Sequence, residues 1–334
     1  MFSLPNEAKL DVLKCLDFNQ LFSVKQTNFY FRNLINKYEG ELARMKFNTL
    51  SLADENDCFV YTGKIIDLES GLFDFTLNDQ LKEKWQAAVD KSIPLFLDIF
   101  ENSKSFVCIR KRNFGLMCYS SYLLELPKFP KNIEEMIIVR CWLEHLFNCA
   151  FEYADFSRNI FNPQMINILF DNDKTIPLQF NIQTSAILFV DKKLIENILK
   201  FSLNHLLVSE LLSINLIDDD TTEQHTNLLF NILINEGNKF TKIFLRGDKL
   251  SKFYHLITEY IATTRDFSKM VHVIDLYSIY TNFKLSERAE KVEIKQETRV
   301  KYTKYQIANI YNPKVKFSFY SEERYGSIYI KIKK

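Results

Sequence analysis

Apolar side chains are concentrated in the first 35 residues of the chain. Their spacing predicts three short helices at 6–16, 20–26 and 28–43, with Pro5 near the first turn, where its missing N–H removes no helical hydrogen bond. Three helices of this size bury too little surface to close a core alone, so we expect them to pack on the rest of the chain or on a partner. The apolar residues of this segment are Leu10, Val12, Leu13, Leu16, Leu21, Phe22, Val24, Phe29, Phe31, Leu34 and Ile35.

The next region, up to residue 132, mixes short strand patterns with one clear helix. Strands are predicted at 47–52, 59–61, 65–68 and 106–109. Asn78 is placed to cap a helix that holds Leu81, Trp85 and Ala88 at helical spacing. We therefore expect a connecting α+β region over 45–132.

From about residue 133 the chain alternates between strand and helix patterns. Strands are predicted at 136–139 and 178–182, and helices at 142–153 and 194–201. Three further strands share an Ile-x-Leu string that begins at Ile214, Ile243 and Ile274, at intervals of 29 and 31 residues. Helical patterns at 222–235 and 250–263 lie between these strands.

Strand–helix units of this length predict parallel strands joined by right-handed crossovers. The near-constant period indicates repeats that stack side by side. We therefore predict an α/β fold with degenerate leucine-rich-repeat-like repeats over 133–285, although the consensus string of that repeat is absent. An ordinary open α/β sheet remains the alternative.

The C-terminal region, 286–334, changes character. Basic and acidic residues alternate over 284–297 without net charge, which indicates a solvated helix or linker. Alternating segments at 300–305, 314–320 and 325–332 predict antiparallel strands that cap the repeats. Residues 298–334 hold nine Lys/Arg against two Glu, interleaved with aromatic residues. Single-stranded nucleic acid binds such surfaces, but ordinary strand packing gives the same pattern and we favour it.

Bulk properties exclude several classes of protein. The 334 residues are 47% hydrophobic and 14% aromatic, which argues against disorder, and a formal net charge of +1 implies no general attraction to nucleic acid or membranes. No leader or membrane-span pattern is present. The six cysteines form no C-x-x-C pair, so we expect free thiols and a location in the cytoplasm or nucleus.

Candidate chemistry is sparse. The glycines never come closer than eight residues, which excludes Gly-rich phosphate-binding loops. Cys141, His145 and Cys149 share a predicted helical face, but eight helical residues extend about 12 Å and cannot converge on one zinc ion. A calcium loop that began at the acidic string 171–173 would need glycine at its sixth position and glutamate at its twelfth, and the sequence has Ile176 and Ile182 there. The acidic string 218–220 is typical of a helix N-terminus. The five histidines have no partner pattern for catalysis. We therefore expect no enzyme activity, metal or cofactor.

The opening segment resembles the F-box. The family pattern is Leu-Pro-x-Glu, then apolar positions, a turn, and a final aromatic-Arg-x-Leu-Ile. The matching positions here are Leu4, Pro5, Glu7, Val12, Leu13, Leu16, Leu21, Val24, Phe31, Leu34 and Ile35. The sequence departs from the pattern at Ala8, at Thr27 and Asn28, and at Phe31, where Trp is common. The resemblance covers residues 2–40.

The resemblance implies that residues 1–44 bind a Skp-type adaptor and, through it, a cullin. The chain would then recruit an unidentified protein substrate to a ubiquitin ligase through its repeats. The expected adaptor-binding residues are Leu4, Pro5, Val12, Leu13, Leu16, Leu21, Phe22 and Phe31. Leu21 and Phe22 are expected to insert into the adaptor, whereas Leu13, Leu16 and Phe31 either bind it or hold the helices together. The alternative is an interaction scaffold unconnected to ubiquitin, with the N-terminal helices as a structural cap.

Overall fold

The computed structural model describes residues 5–38, 41–54, 63–68, 75, 77–99, 105–112, 119–171, 176–216, 223–248, 250–279 and 283–334. Within these residues the helices are α1 (Asn6–Lys14), α2 (Phe18–Thr27), α3 (Phe29–Lys37), α4 (Asp79–Asp90), α5 (Ile133–Phe147), α6 (Pro163–Phe170), α7 (Ile195–His205), α8 (Glu223–Asn235) and α9 (Ser251–Thr263). The strands are β1 (Met45–Asp54), β2 (Gly63–Ile65), β3 (Phe96–Asp98), β4 (Ser105–Arg112), β5 (Tyr119–Leu124), β6 (Cys149–Phe156), β7 (Asn159–Phe161), β8 (Phe180–Val190), β9 (Leu206–Val208), β10 (Leu211–Leu216), β11 (Lys242–Arg246), β12 (Val273–Ser278), β13 (Glu290–Glu297), β14 (Val300–Ala308), β15 (Lys316–Arg324) and β16 (Ser327–Lys333).

One large mixed sheet runs through the molecule. Its central strands β1, β6, β8, β10, β11 and β12 are parallel and lie side by side in chain order. Antiparallel strands extend both ends, with β4 and β5 beyond β1, and β16, β15, β14 and β13 beyond β12. The three predicted regions after residue 44 therefore share one sheet, and the fold is mixed α/β.

Helices cover one face of the central strands. Right-handed crossovers that step repeatedly in one direction place their helices on the same side of a sheet. Burial agrees, because Leu212 and Ile214 of β10 are buried whereas the alternate residues Leu211 and Ser213 are half-buried. The opposite face of the sheet, which we call the open face, carries the alternate side chains of every strand.

The centre of the core is a cluster of phenylalanine rings. Phe180 at the start of β8 lies 4.8 Å from the ring of Phe147 and 5.0 Å from that of Phe161, measured between ring centroids. Phe156 and Phe201 each lie 6.1 Å from Phe180. These rings join α5, α7 and three strands, so the cluster connects the helical layer to the sheet.

Most of the predicted elements are present. The helices predicted at 6–16, 20–26, 222–235 and 250–263 correspond to α1, α2, α8 and α9, and Asn78 caps α4 by accepting from the Leu81 N–H. The three Ile-x-Leu strands are adjacent and parallel. Ile243 faces Ile274 in register, but Ile214 faces Leu245. The interval between the first two Ile-x-Leu strings is two residues shorter than the interval between the last two. The first pair of strands therefore aligns its strings with an offset of two residues.

The strand predicted at 136–139 is wrong, because this run lies inside α5. Asn132 caps the helix by accepting from the Glu135 N–H, and Glu134 and Glu135 favour its positively polarised first turn. The helix predicted at 142–153 is wrong at its end, since α5 stops at Phe147 and β6 begins at Cys149.

The solvated helix or linker predicted at 284–297 is also corrected. Its second half forms β13, in which all eight residues are exposed. Charge alternation suits an edge strand as well as a helix, since it places Glu293 opposite Lys304 of β14. The antiparallel strands that follow are confirmed, and β16 pairs with β12 at the end of the parallel array. The strand predicted at 59–61 lies outside the described residues.

We expect Gly237→Ala to lower the free energy of unfolding by about 1–3 kcal/mol. Gly237 follows α8, and a Cβ there would lie 2.3 Å from the carbonyl oxygen of Met270. That backbone is held by the bond from the Val271 N–H to the Leu233 oxygen, 2.9 Å. Gly247→Ala is the control, because its new Cβ would meet the Leu216 side chain at 3.2 Å. Equal urea midpoints for the two variants would contradict this account.

No helix among the described residues is long and apolar enough to cross a membrane.

Candidate functional site

The three N-terminal helices are defined by local caps. Asp17 accepts from the Gln20 N–H at 2.9 Å, and Gln20 accepts in return from the Asp17 N–H, so a complete capping box starts α2. Asn28 accepts from the Phe31 N–H at 3.0 Å and starts α3. The two caps fix where each helix begins and therefore which side chains point inward.

These helices, together with Leu42 after α3, close a small core of their own, so the expectation that they cannot close a core alone is wrong. The buried side chains form a cluster that is separate from the main core of the sheet. Its members are Leu13, Leu21, Phe31, Leu34, Ile35 and Leu42. The helical unit thus satisfies its own interior without covering its remaining apolar side chains.

Besides Tyr30, whose hydroxyl is hydrogen-bonded, the described part of the unit exposes three large apolar side chains. Val12 is 38% exposed, Phe22 is 51% exposed and Phe29 is 78% exposed. We call them the exposed apolar set. The ring of Phe22 stacks on that of Phe18 with centroids 6.4 Å apart, so its neighbour holds it in place. Aromatic side chains are enriched in the cores of protein interfaces, so Phe22 and Phe29 mark a candidate protein-binding surface.

A polar network fixes α1 against α3. Lys9 is buried, its Nζ donates to the Tyr30 hydroxyl at 2.6 Å, and it lies 4.7 Å from the centre of that ring. The same hydroxyl donates to Oδ1 of Asn6 at 2.9 Å. Sequence reasoning missed this network, because a lysine on a short helix is normally solvated.

The predicted adaptor-binding residues divide between the surface and the interior. Pro5, Val12 and Phe22 are exposed, and Leu16 is half-buried. Leu4 lies outside the described residues. Leu13 and Phe31 are buried in the helical core.

The expectation that Leu21 inserts into a partner is corrected, because Leu21 is only 3% exposed and contacts the core of its own unit. Neighbouring helical positions point about 100° apart, so the position that faces outward here is Phe22. Phe29, the most exposed of the apolar residues named in the N-terminal segment, was not singled out as a site residue. Its place at the first turn of α3, ahead of the buried Phe31, is the signal that could have found it.

The open face of the sheet is the second candidate surface. On it, Nζ of Lys242 lies 2.7 Å from Oδ2 of the buried Asp275. Oδ1 of Asp275 has no hydrogen-bond partner in the described part of the chain. Burial and the neighbouring Asp275 carboxylate raise the pKa of the Tyr329 phenol. This hydroxyl therefore stays protonated at neutral pH.

The candidate metal residues make hydrogen bonds to carbonyl oxygens nearby in the chain, and Cys141 and His145 lie in α5 whereas Cys149 begins β6. Nδ1 of His145 lies 2.7 Å from the Cys141 carbonyl oxygen, and the Cys149 thiol donates to the His145 carbonyl oxygen at 3.2 Å. Burial raises the pKa of the Cys141 thiol to about 11, so the thiol by itself is protonated at neutral pH. No group of three His, Cys, Asp or Glu suited to a metal ion occurs among the described residues.

Of the two remaining acidic strings, the structure describes only Asp171. Asp171 ends α6 in a left-handed conformation and pairs with Lys84 at 2.5 Å, whereas residues 172 and 173 lie outside the described part of the chain. The acidic string 218–220 also lies outside it. His205 is buried, and burial lowers the pKa of its imidazole.

A family model described as a domain of unknown function (DUF8381) matches residues 66–217, which is just under half of the chain. The match runs from the region before α4 to the end of β10 and leaves out α1–α3 and the C-terminal strands. No curated protein matches the sequence.

Proposed function

We propose that this protein is the substrate-recruiting subunit of a cullin-RING ubiquitin ligase. Helices α1–α3 would bind a Skp-type adaptor, and the sheet would bind the substrate protein. The observation that carries the proposal is the exposed apolar set on a helical unit that has its own core. The family resemblance of residues 2–40 supports the identity of the partner.

The energetics favour a partner on these side chains. Covering a large apolar side chain contributes about 1.5–3 kcal/mol. Phe22 and Phe29 contribute little of this free energy to folding, because both side chains remain largely exposed to solvent. It is therefore available for binding a partner. Aromatic side chains also dominate the energetics of many protein interfaces. The scaffold alternative expects these helices to pack tightly on the following region, and the separate core weighs against it.

The sheet supports the substrate-binding half of the proposal. Its sequential parallel strands with helices on one face resemble a leucine-rich-repeat array more closely than a doubly wound sheet, which has helices on both faces. An open face of this kind can vary its side chains independently of the core. The resemblance implies that a separate RING–conjugating-enzyme pair transfers ubiquitin and that this chain holds the substrate nearby. The free cysteines favour the cytoplasm or nucleus as the location.

The test is co-elution of the full-length chain with a purified Skp-type adaptor–cullin complex. We expect Phe22→Ala combined with Phe29→Ala to abolish co-elution, because the loss of two apolar contacts weakens binding more than tenfold each. Phe129→Ala is the matched control, since that ring is 47% exposed and lies outside the helical unit. The thermal unfolding of both variants should match that of the wild type.

Two outcomes would reject the proposal. One is that the wild-type chain does not co-elute with the adaptor. The other is that the double variant co-elutes as well as Phe129→Ala does.

A further inference from the structure

We propose that the open face of β13–β16 binds an extended acidic peptide. The site is a groove of about 380 Å³ on these strands. Four lysines line it, namely Lys291, Lys304, Lys331 and Lys333, and we call it the lysine trough. As the substrate site of the ligase it rests on the proposed function, but its binding chemistry can be measured without an adaptor.

Strand register sets the shape of the trough. Tyr320 of β15 lies between Lys331 of β16 and Lys304 of β14 as their direct cross-strand neighbour. The two lysines are therefore about 10 Å apart, two strand spacings, on either side of a floor formed by β15. Lys333 lies two residues beyond Lys331 on the same face, about 7 Å along the strand.

The trough keeps a positive charge, because four lysines and one glutamate, Glu293, line it. Other basic residues of these strands form ion pairs, as Lys301 does with Glu323 at 3.1 Å and Lys316 with Glu290 at 3.5 Å. In contrast, none of the four trough lysines has an ion-pair partner within the described ranges. Asp275, the cross-strand neighbour of Lys331, is already paired with Lys242.

A local irregularity brings in the fourth lysine. The pairing of β13 with β14 shifts register between Glu290 and Glu293, and Lys291 within this bulge has a φ of 52°. A left-handed backbone is unfavourable for a residue with a side chain. Bulges redirect side chains, and this one places Lys291 in the lining of the trough.

The geometry selects an extended peptide with alternating carboxylates. In an extended chain, residues i and i+2 point to the same side about 7 Å apart, which matches the spacing of Lys331 and Lys333. Nucleic acid fits less well, because base stacking needs a free aromatic face. The ring of Tyr320 is half-buried and already stacked on Tyr302, with centroids 6.2 Å apart at 28°.

The test is fluorescence anisotropy of the full-length chain with a labelled peptide of alternating glutamate and serine, about 12 residues long, or about 40 Å when extended. We expect this peptide to bind at least about tenfold more tightly than its glutamine–serine counterpart at low salt. Raising the salt from about 0.05 to about 0.2 M should weaken binding, since screening acts on exposed charge pairs.

The variant Lys331→Gln with Lys333→Gln should weaken peptide binding about three- to tenfold. Lys252→Gln with Lys314→Gln is the control, because both lysines are exposed and lie outside the trough. This control removes the same two positive charges from the chain as the trough variant does. Equal losses in the two variants would show a net-charge effect and overturn the proposal. Equal binding of the two peptides, or tighter binding of an oligothymidylate of similar length, would also overturn it.

The two proposals can fail separately. We expect Lys331→Gln with Lys333→Gln to keep adaptor co-elution, and Phe22→Ala with Phe29→Ala to keep peptide binding. If the adaptor does not bind any form of the chain, the ligase assignment is lost while the peptide measurement still decides the trough.

Discussion

Phe180→Ala is expected to lower the free energy of unfolding by about 3–5 kcal/mol. Phe180 is fully buried and packs against four other phenylalanine rings. Those rings come from α5, α7, β6 and β7, so the neighbours of the cavity belong to separate elements that cannot all move inward together. Cavities whose walls collapse poorly have the largest cost.

The measurement is urea unfolding followed by tryptophan fluorescence. Trp85 and Trp142, the two tryptophans of the chain, contact the main core, so the signal reports that core and not α1–α3. Phe180→Leu, which keeps most of the volume, should cost less than half as much. A chain of this size can unfold through intermediates, so the slope of the transition must be the same for all variants. A loss below about 1 kcal/mol for Phe180→Ala would contradict the central role of the ring.

Local signals account for the elements that could be predicted from the sequence. Asn78 and the Ile-x-Leu strands were identified because a cap and an apolar alternation lie within a few residues of the structure they specify. The parallel pairing was predicted from the alternation of strand and helix patterns, because parallel strands need a crossover connection that is usually a helix. These features need no knowledge of distant contacts.

The errors arose where two structures share one local pattern. The apolar run at 136–139 fits a strand as well as a helix, and the cap at Asn132 decides for the helix. Charge alternation in β13 fits a helix, a linker or an edge strand. Only the pairing with β14, which is non-local, selects the strand.

In the candidate site, too, some features follow from the local sequence and others depend on non-local packing. The apolar density of the N-terminal helices was evident from sequence, but which residues remain exposed depends on how the helices pack. Leu21 and Phe22 are sequence neighbours, yet one is buried and the other is half exposed. The lysine trough could not be located from the basic composition of the C-terminal region alone, because strand register decides which lysines face each other and which are paired.

Asn309 ties the C-terminal strands to the helical layer. This buried residue follows β14, and its side-chain N–H groups reach the carbonyl oxygens of Ile261 and Thr264 at 2.9 and 2.8 Å, at the end of α9. Its Oδ1 accepts from the N–H groups of Tyr311 and Asn312, both at 3.0 Å. One amide therefore ends a helix and shapes a turn.

Asn309→Asp is expected to destabilise the protein by about 3–5 kcal/mol, the usual cost of an uncompensated buried charge. The introduced carboxylate keeps both acceptor bonds but cannot donate to the helix carbonyls, and it would lie against their negative ends. Asn309→Ala leaves the same carbonyls unsatisfied without a charge, which costs about 1–3 kcal/mol. Urea unfolding at neutral pH should therefore rank the wild type above Asn309→Ala, and Asn309→Asp last.

The pH dependence of the unfolding free energy distinguishes an effect of the introduced charge from an effect of side-chain shape. Protonation of the introduced carboxylic acid removes its charge and restores one donor, so the gap between Asn309→Asp and the wild type should narrow as the pH falls, whereas the gap for Asn309→Ala should change little. A gap that stays constant with pH, or Asn309→Ala as the less stable variant, would mean that the amide acts through its shape and not through its donors. Asn309 also supports the lysine trough. It stabilises the turn between β14, which carries Lys304, and β15.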